Sequence, residues 1–137
     1  MASSAPAPGI DRVLDGARLR IAPRVQPHDL AAEVERGSLV VDIRPVEQRS
    51  RDGEIPGAIV VDRNVLEWRL DPTSSHRLPI ADRGDRRIVL VCNEGYASSL
   101  AAAGLLDLGL SDATDLDGGV QAWLQHQSEQ PKEENGP

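Results

Sequence analysis

The segment from Arg87 to Gly109 constrains the fold more than any other part of the chain. It opens with Ile88-Val89-Leu90-Val91, four consecutive aliphatic residues with no polar alternation. Such a run suits a strand buried on both faces, which is the environment of a parallel sheet covered by helices. The run stops at Cys92, and Asn93-Glu94-Gly95-Tyr96-Ala97 then forms a short loop. After it, Leu100, Ala101, Leu105 and Leu108 mark a helix that closes at Gly109, with Ser98 or a neighbour expected as its cap. The only cysteine therefore stands where a strand ends and a helix begins. In open parallel sheets ligands bind beyond the carboxyl ends of the strands, where loop amides and a helix N-terminus create a positive field. A free thiol ionises near ~8.5, and such a field lowers that value and favours the nucleophilic thiolate. The alternative stays open on local pattern alone: free cysteine is among the most buried residue types and often serves as a small core side chain.

The rest of the chain fits the same architecture. Residues 27–37 begin with Pro27, carry Leu30, Ala31 and Val34 at helical spacing and end on Gly37, so they predict a helix. Residues 39–43 read as a strand, 45–51 as a short helix, and 58–61 as a second strand entered through the turn Ile55-Pro56-Gly57. Residues 63–84 are mixed, with a short helix around 65–69 and then a loop bearing Pro and Ser. Asp117 is the expected cap of a last helix that buries Val120 and Trp123. Alternation of strands and helices predicts an α/β fold with a central, mostly parallel five-stranded sheet and helices on both faces. Residues 1–22 and 128–137 are expected as largely disordered tails, because Met1 to Pro8 is Ala, Ser and Pro and the C-terminal stretch has no apolar side chain. That leaves residues 23–127 as the folded domain.

Composition narrows the function. A chain of 137 residues fits one core, and with no Phe and only Trp68, Tyr96 and Trp123 as aromatics that core must be aliphatic. A net charge of -7 offers nothing for phosphate backbones to neutralise, which argues against nucleic acid as a partner. No apolar run reaches the ~20 residues of a membrane span, and the first residues lack the pattern of a signal peptide, so the expectation is no membrane association and a cytoplasmic location. One cysteine makes no internal disulfide. His28, His76 and His126 are not placed beside Cys92 by any motif, and neither they nor Asp115-Leu116-Asp117-Gly118 supply a metal-ligand pattern. No metal and no cofactor are expected.

Four segments in order, Asp42-Ile43-Arg44, Gly53-Glu54-Ile55-Pro56-Gly57-Ala58, Cys92-Asn93-Glu94-Gly95-Tyr96-Ala97-Ser98 and Asp117-Gly118-Gly119-Val120-Gln121-Ala122-Trp123, resemble the rhodanese (sulfurtransferase) domain family. The resemblance spans about residues 23 to 127 and implies a rhodanese-like fold with a six-residue active-site loop. It further implies transfer of a sulfane sulfur through a persulfide on Cys92 to a thiol or other nucleophilic acceptor, the donor being a small sulfur compound or a protein persulfide. On that resemblance the main chain of Asn93, Glu94, Gly95, Tyr96, Ala97 and Ser98 would cradle the sulfur. Arg44 would add positive potential at the pocket, supported by Asp42, although an ordinary structural ion pair is an equal reading of those two. Trp68 is expected to line the pocket or cover it, and Tyr96 to shape access.

Departures from the family pattern matter. Many family loops carry Arg where this chain has Ala97, and Glu94 adds a negative charge that opposes an anionic donor unless it points to solvent. Thiosulfate is accordingly a doubtful donor. Glu54 replaces a usual histidine in the turn, at no evident catalytic cost. A cysteine phosphatase would need Arg where Ser98 stands, so phosphoryl transfer lacks its main electrostatic term. The second function class is a non-catalytic binding, carrier or redox-sensing module built on the same loop.

Overall fold

The computed structural model describes residues 7–130. Four strands, β1 (Leu39–Asp42), β2 (Ile59–Val60), β3 (Arg87–Val91) and β4 (Asp112–Asp115), form one sheet in the order β2-β1-β3-β4. All pairs are parallel, and β3 runs through the middle with Ile88 beside Leu39 and Ala113. The sheet thus has four strands, where five were expected. The fifth position is reduced to a single parallel bridge between Val25 and Leu116, in which Val25 N donates to Asp115 O and Asp117 N to Val25 O. Pro23 and Pro27 flank this segment, and proline cannot extend a ladder by donating to it.

Among the described residues six α-helices flank the sheet: α1 (Ile10–Ile21), α2 (Leu30–Glu35), α3 (Val46–Asp52), α4 (Leu66–Leu70), α5 (Ala97–Asp107) and α6 (Gly119–Glu129). Alternation along the strands divides the core. Leu39 and Val41 of β1 and Ile88 and Leu90 of β3 pack with Ala17 and Ile21 of α1, Leu66 and Leu70 of α4 and Leu105 of α5. Val40, Val89 and Val91 point the other way, to Leu30 of α2 and Val120 of α6, with Trp123 packed at the edge. Because both faces are covered, Val89, Leu90 and Val91 are fully buried, each contributing about 1.5–3 kcal/mol.

Residues 10–21, expected within a tail, instead form α1. Its Leu14, Ala17 and Ile21 recur at helical spacing and are buried, so the segment repays its ordering by burial. The expected tails at 1–6 and 131–137 lie outside the described residues. Helix α5 begins after Tyr96 with no side-chain cap, and Ser98 sits inside its first turn, contrary to its expected capping role. Gly118, with a left-handed φ of 76°, precedes α6, and Asp117 does not cap it. Trp68 is 57% exposed and faces Leu108, away from the cleft it was expected to line or cover. Among the described residues no helix is long and apolar enough to cross a membrane.

Candidate active site

Cys92 follows the last residue of β3, and only 7% of it is exposed. The loop curls back over it. Gly95 N and Ser98 N donate to its Sγ at 3.1 and 3.4 Å, so two main-chain amides already point at the sulfur. This curl requires glycine: Gly95 has φ +84°, and a Cβ there would lie 2.8 Å from Gly118 N. Gly119 is equally constrained, since its Cβ would fall 2.6 Å from Cys92 O. The close approach lets Val120 N donate to Cys92 O and Gln121 N to Asn93 O, so the first turn of α6 finds its partners in the loop.

Cys92 opens on a cleft of about 420 Å³. Ile43, Arg44, Pro45 and Gln48 form one wall, Arg63 a second, and Asn93, Glu94, Tyr96 and Ala97 the loop side. Glu94 and Tyr96 are exposed at the rim, so the Glu94 carboxylate faces solvent. Arg44 and Asp42 lie at the end of β1 with side chains 0% and 1% exposed. Arg44 N and Nε each donate to Asp42 Oδ1 at 3.0 Å, Nη2 donates to Asp42 Oδ2 at 2.8 Å, and Nη2 also donates to Gly53 O at 2.8 Å. Nη1 is buried without a hydrogen-bond partner among the described residues. The two form an internal ion pair, and of them Arg44 alone borders the cleft.

Behind the loop lies a polar network with no counterpart in the sequence expectations. Asp115, at the end of β4 and fully buried, accepts from Ser98 Oγ and Ser99 Oγ at 2.7 Å each and from Arg24 Nε at 2.8 Å. Ser98 Oγ is also 3.2 Å from Cys92 Sγ. Arg24 Nη2 and Arg18 Nη2 converge on Gly95 O at 2.9 and 2.7 Å, and the Arg18 guanidinium lies over the Tyr96 ring at 5.2 Å. The loop itself lacks a cation, but α1 and the segment after it bring two against its main chain. These partners are 71 to 91 residues away from the groups they hold, so no local pattern announces them. The spacing of Leu14, Ala17 and Ile21 was the available signal that α1 folds onto the domain.

His76 is exposed, and His28 and His126 face each other at 6.1 Å between ring centres, away from the cleft residues. Among the described residues no group of three or more His, Cys, Asp or Glu could hold a metal ion.

Residues 26–126 match the model of the rhodanese-like domain family. Thiosulfate sulfurtransferase GlpE of Pseudomonas savastanoi is 31% identical over 100 residues, covering 73% of this chain and 85% of that protein. The enzyme of the same name from Pseudomonas fluorescens is 35% identical over 101 residues, covering 73% and 83%. Among solved structures, a Rhodopseudomonas palustris protein of unknown function, described as a possible tyrosine phosphatase, superposes with TM-score 0.78 at 32% identity over 93% of this chain and 97% of that one. A human single-domain sulfurtransferase shares the fold, with TM-score 0.61 at 24% identity over 76% and 96%.

Proposed function

Because the chain belongs to the rhodanese-like domain family, we propose that it moves a sulfane sulfur through a persulfide on Cys92. The observation that carries this reading is the sulfur's setting: Sγ accepts two loop amides and borders the cleft. Main-chain donors cost no reorganisation and favour negative charge on sulfur, whether thiolate or persulfide. The thiolate attacks the outer sulfur of a donor, whose bond to its leaving group breaks with the electron pair departing on that group. A nucleophilic acceptor then attacks the outer sulfur of the persulfide, and the Cys92 thiolate leaves.

Asn93 to Ser98 hold the sulfur, Tyr96 frames the entrance, and Arg44, supported by Asp42, sets positive potential in the wall. Arg63 adds a second cation at the cleft, engaged by Glu67 at 3.1 Å. A thiol serves as acceptor, and the donor is a small sulfur compound or a protein persulfide. Ala97 leaves the loop without the charge-assisted clamp an arginine would give small anionic donors such as thiosulfate, while the Glu94 carboxylate is turned to solvent. A free thiol as the working group suits a reducing compartment, the cytoplasm. Phosphatase chemistry finds less support, since Ala97 and Ser98 leave the loop without the arginine that clamps a phosphate dianion.

Intact-mass spectrometry tests the reading, on the protein incubated with thiosulfate and separately with a cysteine-desulfurase persulfide source. The expected result is a gain of one sulfur atom, lost with cyanide and absent in Cys92→Ala. No adduct from either donor on a free, accessible thiol would refute it and favour a binding or redox-sensing module.

A further inference from the structure

The buried network behind Cys92 sets which way its hydrogen bond to Ser98 runs. Asp115 offers only acceptor oxygens, and the Ser98 hydroxyl lies 2.7 Å from one of them, so the single hydroxyl proton is committed to the carboxylate. Arg24 holds that carboxylate through Nε and Nη2 at 2.8 and 3.1 Å, which fixes its orientation. What Ser98 Oγ then presents to Cys92 Sγ, 3.2 Å away, is a lone pair. A contact of that kind needs a proton on sulfur.

We propose that Ser98 is a positioning residue that accepts the S–H bond of Cys92 in the sulfur-free protein, with Asp115 and Arg24 fixing its polarity. The proposal rests on the reading of Cys92 as the sulfur-bearing residue. It runs against the simpler expectation that a hydroxyl beside a catalytic cysteine donates to the anion. The other charged groups around the loop are Arg44 and Arg63 in the cleft, Glu94 on the loop and Arg18 at Gly95 O. None of them supplies a hydrogen bond to Sγ, so the polarity is decided by Ser98. A persulfide has no proton on Sγ to donate, so this bond exists only in the empty form. It stabilises that form and favours handing the sulfur on.

The S–H stretching band in the infrared spectrum reads the bond directly, because Cys92 is the only cysteine. In the sulfur-free wild type at neutral pH the band is expected at the lowered frequency of a hydrogen-bonded thiol. It should move to higher frequency in Ser98→Ala and return in Ser98→Thr, which keeps the hydroxyl. Iodoacetamide should alkylate Ser98→Ala about two- to threefold faster than wild type, as one weak hydrogen bond to the thiol form is lost. An absent wild-type band, a band unmoved in Ser98→Ala, or slower alkylation of that variant would each overturn the proposal. Wild-type measurements stand even if the variants do not fold. Sulfur loading of the wild type is scored separately by mass, so loss of this inference leaves the transfer reading untouched, and the reverse.

Discussion

Arg18→Ala tests whether α1 is part of the working site. Arg18 Nη2 donates to Gly95 O at 2.7 Å, Nε donates to Ser99 Oγ at 3.2 Å, and the guanidinium stacks on Tyr96. A hydrogen bond from a charged donor contributes about 1.5–3 kcal/mol. Gly95 O keeps Arg24 at 2.9 Å, so the carbonyl is not orphaned and the lower end applies. The partly exposed cation–π contact adds about 0.5 kcal/mol. Together these favour loop opening by about 2 kcal/mol in the variant, about 30-fold in the opening equilibrium. Hydrogen–deuterium exchange resolved by mass spectrometry should show the Gly95 and Ser98 amides exchanging faster by that order, while residues 88–91 of β3 are unchanged. Unaltered exchange in the loop, or equal acceleration throughout the chain, would refute the idea that α1 clamps the loop locally.

Other perturbations have equally definite outcomes. Arg44→Met should cost about 3–5 kcal/mol in urea unfolding, because it strands the buried Asp42 carboxylate, whereas Asp42→Val with Arg44→Met should cost less than Arg44→Met alone. Burial raises the Glu33 carboxyl, but hydrogen bonds from Arg87, Ser38 and Arg36 outweigh it and hold the group below its usual 4.5. A depressed value in the folded state means stability that is present above the unfolded value and lost as pH falls through the folded one. Glu33→Gln should therefore be less stable than wild type at neutral pH, with the gap closing in acid, by urea midpoints measured at both. Gly95→Ala combines a positive φ with a Cβ 2.8 Å from Gly118 N, and should cost about 1–3 kcal/mol and abolish sulfur loading measured by mass; full loading would show that the loop tolerates another path.

Much of this was legible where one local pattern decides the outcome. The run 88–91 reads as a doubly buried strand and is one, and Gly37 and Gly109, both with positive φ, follow the ends of the helices they were read to close. The loop was legible because a strand, a glycine and a helix start leave it one place to go. Ser98 and Asp117 were misread for a common reason. Both are good caps by propensity, but each is claimed by a distant partner, Asp115 for one and Arg24 for the other. Tertiary hydrogen bonds to charged groups outweigh a cap of about 1 kcal/mol. Helix α1 was hidden by the Ala, Ser and Pro residues before it, and the fifth strand was overcounted because a single bridge at Val25 has no sequence period to betray it.

The margins of the sheet carry a consequence for how the molecule behaves among its own copies. On one side the ladder ends in β2, two residues long, and on the other the β4 groups next to Leu116 are taken by Val25. A stranger strand arriving at either margin meets too few unpaired main-chain groups to zip onto. Its most hydrophobic strand, β3, lies two strands from one margin and one from the other, shielded in the interior. Copies of this chain therefore find little free ladder to extend at either side of the described sheet.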